Sequence, residues 1–437
     1  MRLRPVTTLL LTATLAAGMT YYYFGIFLPC SQAVMASWDL GGGYEFAGDL
    51  YPIWLTGREL IHHRTNPYTP SMTARIQAGL YGRPLDPHRP TDPLPNYRAF
   101  SYPLYTDLLL VPLLPLSFPA LRLLLAFLFP VLTGISLVLW AKAVGVPLSG
   151  AGTVIALAMT LLSYPVLEGF YAEQPAMLVG FLLAGGIFAI TRGSYLTGGV
   201  LVALASIKPQ VSGPVTAWLI LWTVIDWKQR KNFVIGLVTS LAFLLVASEF
   251  ILPGWHRYWY HALVDYRAYT LPPLAEYVLG KFTGYVVELV LLILTVFIAA
   301  RALQSCADNT AFNLSLCVLL TTTVIVLPTG GAVYDQVVTI PAFLWLWGQR
   351  AAILSRGRTV RLLALLLIFV LSWQWITATL VAVAALASLS WARSTPALLL
   401  PVRMAASLPF VLLAVLALIG IRHKAGIPAH LECLGKL

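Results

Sequence analysis

The stretch "YPLYTDLLLVPLLPL" (Tyr102–Leu116) decides how the whole chain is threaded. It is apolar enough to enter a bilayer, yet a spanning helix needs about 20 such residues. Pro103, Pro112 and Pro115 interrupt it, and each removes a backbone donor and crowds the preceding turn. We read it as a re-entrant or juxtamembrane element, which is tolerated where it lines a protein-walled cavity. If it crossed instead, every later segment would change sides.

The composition on either side of this stretch sets the class. Of 437 residues 59% are hydrophobic and only 10% charged, with a mean hydropathy of +0.81, whereas soluble chains run near ~25% charged. Apolar stretches recur between short polar turns, the pattern of spanning helices. They are expected near 119–141, 150–166, 175–191, 195–208, 210–226, 233–252, 284–301, 311–328 and 335–348, with two or three more in 360–421. The chain therefore reads as an all-α polytopic membrane protein with about 11–13 transmembrane helices.

Charge fixes the orientation. Arg2 and Arg4 precede the first apolar segment, Pro5–Leu28. That segment is too long for a signal peptide and lacks a clear cleavage site, so it is read as a retained span whose N-terminus is cytoplasmic. The turns "DWKQRKN" (226–232) and 350–361 then fall inside, and they are the most basic short turns in the chain. Letting Tyr102–Leu116 cross would turn both outward, so that version is rejected. Four parts follow: a first span (1–28), an outer loop (29–117) with amphipathic and re-entrant segments, a transmembrane core (118–350), and C-terminal spans with a tail (351–437). The net charge of +11 is spread over the short loops; no basic stripe suits a nucleic acid, and none is expected as a partner.

Within the outer loop, Leu50, Ile53, Trp54, Gly57, Leu60 and Ile61 repeat at helical spacing. Thr56, Arg58, Glu59, His62 and His63 occupy the other face. This predicts a short amphipathic helix lying in the membrane interface. The stretch from "RTNPYTP" to "RPLDPHRPTDPLPNYR" (64–98) is rich in Pro and Arg, has no period and reads as a long functional loop. "PGWHRYWYHALVDYRAY" (253–269) is a second amphipathic outer segment.

An ionisable side chain at membrane depth costs about 2.5–3.5 kcal/mol on insertion scales and marks a candidate site. Asp49, Glu168, Glu173, Lys208 and Asp335 all fall on one side in this topology, as an active site opening outward would require. Asp49 follows Gly48 and precedes the amphipathic helix, so it is either a helix cap or a general base, ionised at neutral pH and able to take a proton from an attacking hydroxyl. Lys208 in "ASIKPQ" either snorkels to the interface or forms a fixed cation for a phosphate, with Pro209 stopping the helix and Gln210 adding a donor. Glu173 and Gln174 in "EGFYAEQP" are either a polar turn or ligands for sugar hydroxyls. His62, His63, His256 and His261 lack metal-ligand spacing, as do Cys30, Cys306, Cys317 and Cys433, so neither a metal site nor a disulfide framework is expected.

The order "GDLYPIW…GRELI…NPYTP", "YPLY", "EQP", "ASIKPQ" and "YDQ", spread over about residues 40–340, resembles glycosyltransferase family 87, the polyprenyl-phosphate-mannose-dependent mannosyltransferases of the GT-C class. The resemblance implies a GT-C fold whose first outer loop carries the catalytic acid, and Asp49 matches that aspartate. It implies a polyprenyl-phosphate sugar as donor, with no nucleotide sugar and no cofactor, and a lipid-linked or glycan acceptor. On chemistry more than on family, Lys208, Gln210 and Arg98 are assigned to the donor phosphate. Glu173, Gln174, Tyr334, Asp335 and His256 are the candidates for sugar and acceptor. The family's turn usually reads Gly-Gln where this chain has Glu173-Gln174, which leaves the role of Glu173 open. The implied location is a bacterial inner membrane with the site facing outward.

Two other classes fit a many-span chain. A flippase or transporter of lipid-linked sugars would show internal repeats, and no convincing repeat is visible. An O-antigen ligase or polymerase type enzyme would place its large outer loop late, whereas here it follows the first span.

Overall fold

The computed structural model describes residues 5–422 apart from 41–42, 44–47, 87, 90–91, 93–97, 305–308, 327–332 and 356. Among the described residues every regular element is helical. Helix α1 (Val6–Ser37) does not stop at Leu28 as the sequence suggested. It widens into a π turn at Tyr22–Phe27, where the Leu28 N–H reaches the Tyr23 carbonyl, and this accommodates the missing donor and the ring of Pro29.

Three short helices among the described residues form a layer over one end of the bundle, called the outer layer after the topology expected from sequence. Helix α2 (Leu50–His63) is the amphipathic segment expected. Thr56, however, belongs to its buried face, bonding the Pro52 carbonyl and the Asp107 carboxylate. Helix α3 (Pro70–Tyr81) was missed, because the proline density around it looked like a loop. Its ends are nonetheless coded: the Thr69 hydroxyl accepts from the Met72 N–H, Pro70 opens the first turn, and Gly82 closes it at φ +81°. Helix α4 (Tyr105–Leu110), followed by a 3-10 turn at Val111–Leu113, is too short to cross.

The core begins with α5 (Phe118–Ala143). The span expected at 150–166 is two helices, α6 (Gly150–Leu161) and α7 (Tyr164–Tyr171), bent by 58°. Pro165 biases Tyr164 against continuing a helix, and Ser163 is extended. Next come α8 (Ala176–Thr191), α9 (Tyr195–Leu204, extended by a 3-10 turn to Ile207) and α10 (Pro209–Ile225). Helix α11 (Trp227–Ile251) starts before the expected 233, so the basic run "DWKQRKN" forms its first turns rather than a loop.

Helices α12 (Trp255–Tyr269) and α13 (Leu274–Leu279) lie beyond it, followed by α14 (Lys281–Gln304) and α15 (Asn309–Val326). A 3-10 segment, Val333–Thr339, leads into α16 (Ile340–Gly348) and the short α17 (Arg350–Ser355). The last described helices are α18 (Arg358–Ala387), α19 (Leu389–Ala392) and α20 (Thr395–Arg422).

Among the described residues seven helices are long and apolar enough to cross a membrane, or eight if α6–α7 counts as one span. The expected number was larger because it included shorter apolar helices such as α8 and α9. Phe243, Phe250 and Leu386 are 72%, 83% and 80% exposed, as side chains facing lipid are. Between helices the contacts are close. At the α9–α11 crossing a Cβ on Gly199 would strike the Phe233 carbonyl, and one on Gly236 the Leu196 carbonyl, so glycine is required on both helices.

The connectivity alternates helix ends. The starts of α5, α8 and α10, the end of α7 and the 3-10 turns after α9 and before α16 all meet at one end of the bundle, beneath the outer layer.

Candidate active site

Asp49 stands at the N-cap position of α2 but does not cap it: no side-chain cap bond forms, and its backbone is helical rather than extended (φ −105°, ψ −26°). The carboxylate instead meets Arg98, whose Nη1 lies 3.4 Å from Asp49 Oδ1. The Asp49 side chain is 15% exposed and that of Arg98 37%, so the pair is open to one side. The bland explanation of Asp49 as a cap therefore fails on geometry. Tyr81 also hydrogen-bonds Arg98, and Asp49 supports the arginine's charge against the cost of burial.

Lys208 does not snorkel. It is 3% exposed and its Nζ donates to Asp335 Oδ1 at 2.5 Å and to Gln174 Oε1 at 3.4 Å. The Tyr334 ring lies beneath the ammonium, 4.7 Å from centroid to Nζ. The lysine is where it is because α9 ends in a 3-10 turn and Pro209 restarts the chain as α10, leaving Lys208 at φ −125°, ψ 75° between them. A helix break there lets a polar side chain point across the bundle end rather than out into lipid.

The two ion pairs share one environment. Tyr102, Tyr266 and Tyr334 each lie within electrostatic reach of both Asp49 and Asp335. Burial, then Asp49, pushes the Tyr266 hydroxyl up to about 12. Tyr102 is driven well above its ordinary range for the same reasons. These tyrosines stay protonated at neutral pH. Sequence reading did not assign Tyr102 or Tyr266 to the site, because a tyrosine in a membrane protein is more often an interfacial belt residue.

Of the residues singled out in the sequence, Lys208, Gln174, Tyr334 and Asp335 form one contact set and Asp49 with Arg98 its neighbour. Glu173 points elsewhere, to Arg122 on α5, with Nε 2.9 Å from Oε1. Burial pushes the Glu173 carboxyl up, and Arg122 pulls the other way. Its backbone is left-handed at φ +52°, a conformation that glycine adopts without strain. That gives a physical reason for a Gly-Gln turn, and Glu173 holds the same turn through its arginine. Gln210 is only half-buried and is not a Lys208 partner. His256 lies outside the cluster, 60% exposed and paired with Glu249 at 3.4 Å. Neither Gln210, expected at the donor phosphate, nor His256, expected at the sugar or acceptor, is a hydrogen-bond partner of Lys208.

The residues 44–47 before Asp49 and 328–332 before Tyr334, like Cys306 and Cys433, lie outside the described residues. Among those described, no group of three or more His, Cys, Asp or Glu is placed to hold a metal ion. Cys30 and Cys317 are free thiols.

An all-helical integral membrane protein, with acids and cations from six chain segments gathered at one end of its bundle, is built for polar chemistry at the membrane surface. The model of glycosyltransferase family 87 matches residues 100–328, just over half the chain, and the protein belongs to that family. It is a membrane glycosyltransferase. Glu173, Gln174 and Lys208 fall within the matched stretch, while Asp49, Arg98 and Asp335 lie outside it. A comparison with curated proteins returns no match.

Proposed function

We propose that this glycosyltransferase moves a hexose, mannose on the family resemblance, from a polyprenyl phosphate to a lipid-linked or glycan acceptor. Transfer takes place on the outer face of a bacterial inner membrane. It is an in-line displacement with inversion at the anomeric carbon. The acceptor oxygen forms a bond to that carbon as the bond to the phosphate oxygen breaks. The hydroxyl proton goes to the Asp49 carboxylate, and the electron pair leaves with polyprenyl phosphate.

The observation that carries this reading is the freedom of Asp49: it sits at a cap position, makes no cap, and is turned to a half-exposed arginine. At 3.4 Å the Asp49–Arg98 contact is loose, and charge-assisted bonds of full strength are shorter. A donor phosphate that binds Arg98 takes the place of the carboxylate on the guanidinium. Asp49 is thereby released to the acceptor hydroxyl when the leaving group is already held. Lys208, fixed by Asp335 and Gln174, supplies a second positive charge that stabilises the departing phosphate in a site screened from bulk water. Gln174, Tyr334 and Asp335 are the groups nearest that lysine and line the sugar's place. The outward orientation is supported by charge: Lys228, Arg230 and Lys231 open α11, at the opposite end of the bundle from Lys208.

The test is transfer in vitro, with purified protein, labelled polyprenyl-phosphate hexoses and membrane extract as acceptor. Transfer should require the polyprenyl donor and vanish in Asp49→Asn. Transfer from a nucleotide sugar alone would overturn the donor assignment, and near-native rates in Asp49→Asn would overturn the base.

A further inference from the structure

The reaction as derived leaves one acid at this end of the bundle without a task. Glu168 projects from the last turns of α7, and Tyr23, in the π turn of α1, donates its hydroxyl to Glu168 Oε2 at 2.7 Å. The Tyr164 hydroxyl bonds the same carboxylate. Tyr23 and Tyr164 are buried, at 0% and 3% exposure, and their rings pack edge to face at 5.8 Å with Phe27 against Tyr164 at 5.6 Å. Glu168 itself remains partly accessible. Two buried phenols thus pin an acid that is itself partly accessible, and among the described residues it has no ion-pair partner. A π turn is a costly local feature that recurs at functional sites, and here it aims Tyr23 at the acid.

The position of Glu168 ties it to the site. The next residue, Gly169, is pressed against Tyr334, where an added Cβ would come within 3.3 Å of the Tyr334 Cβ and strike the Met177 methyl. The Tyr334 ring in turn underlies Lys208. Asp49 and Arg98 are both within electrostatic reach of Glu168. During transfer the hexose must bridge the base and the cation that holds its phosphate. Glu168 is the remaining acid within reach of both Asp49 and Arg98, and the reaction as derived gives it neither the acceptor proton nor the phosphate.

We propose that Glu168, held by Tyr23 and Tyr164, is the hydrogen-bond acceptor for a hydroxyl of the donor hexose and sets which sugar the enzyme takes. The inference rests on the polyprenyl-phosphate hexose reading above. An ionised carboxylate only accepts hydrogen bonds and has about four lone-pair sites. The two phenols leave sites free, and a sugar hydroxyl is the donor that fits them. A polar site built for a hydroxyl rejects the analogue that lacks it by up to about 10⁴-fold, because its own group is then left unpaired.

The experiment uses the full-length enzyme with whichever polyprenyl-phosphate hexose the wild type accepts, and monodeoxy analogues of that donor, one for each hydroxyl. The wild type should discriminate strongly against one analogue in particular. In Glu168→Gln that single ratio should fall at least about tenfold, since a charged acceptor is exchanged for a weaker neutral one, while the ratios at the other hydroxyls hold. Tyr23→Phe should lower the same ratio to a smaller extent, and it carries the test if Glu168→Gln does not fold. Equal losses with all donors, or unchanged ratios, would overturn the role of Glu168 while leaving the donor reading in place. A wild type inactive with every polyprenyl-phosphate hexose would overturn the donor reading itself.

Discussion

Asp49–Arg98 and Lys208–Asp335 are neighbouring acid–base pairs, yet they are built in opposite ways. The first joins two segments of the outer layer, is 3.4 Å long and leaves its arginine 37% exposed. The second joins the start of α10 to the 3-10 segment before α16, is 2.5 Å long and leaves both side chains no more than 4% exposed. A buried pair resists separation, because parting it strands a charge in a medium that solvates it poorly. A half-solvated pair separates at little cost. The loose pair is thus suited to exchange partners with a substrate, and the tight one to hold the scaffold and a constant field.

The sharpest way to break this contrast is to neutralise one acid of each pair. Asp49→Asn should lower transfer by about 10²–10⁴-fold, the range for loss of a positioned general base, with no change in thermal unfolding. A variant that unfolds more easily while retaining its rate would reverse the roles assigned to the two pairs. Lys208→Met should instead destabilise the fold by about 3–5 kcal/mol, by leaving Asp335 buried and uncompensated. The double variant Lys208→Met/Asp335→Leu should recover most of that loss. Unfolding in detergent measures both, and a double variant no more stable than the single one would show that the pair does more than balance charge.

A third ion pair tests how the outer layer is held. Arg83 grips Asp92 through two bonds of 2.6 Å and also reaches the Trp38 and Asp39 carbonyls, tying the segment that leads toward Asp49 to the loop that leads to Arg98. Hydrogen bonding from Arg83 holds the Asp92 carboxyl down at about 2, from 3.8. Because the folded value is the lower one, the stabilisation is complete above the unfolded value and is lost as pH falls from about 4 towards 2. Limited proteolysis of the outer layer should accelerate across that window, and in Arg83→Gln it should already be fast at neutral pH.

The smallest effects concern single positions. Glu173→Gly should be more stable than Glu173→Ala by about 1 kcal/mol, since only glycine accepts φ +52° freely. Equal stabilities would mean that the turn relaxes when Arg122 is released. His256→Ala should change neither rate nor stability measurably, and a loss of activity there would extend the site along α12 from Tyr266 to its first turn.

Much of this was legible in the chain. The short Tyr102–Leu116 element, the amphipathic α2, and the placing of Asp49, Glu168, Glu173, Lys208 and Asp335 at one end follow from apolar length, period and charge. Helix α3 was lost because Pro70 and the prolines beyond it signalled a loop, although Thr69, Pro70 and Gly82 spell a helix with both ends capped. The extension of α1 past Pro29 was hidden because proline stops an α-helix, and only a π turn lets the helix continue.

The sequence by itself determined the class of protein, since stretches this apolar leave the backbone no solvent but itself, and it determined which rare ionisable groups stand at the helix ends. Only the tertiary structure decided their partners. Whether Asp49 caps α2 or faces Arg98, and whether Lys208 snorkels or meets Asp335, depends on segments up to 127 residues apart being packed side by side. Such pairings carry no period or spacing that could be read along the chain.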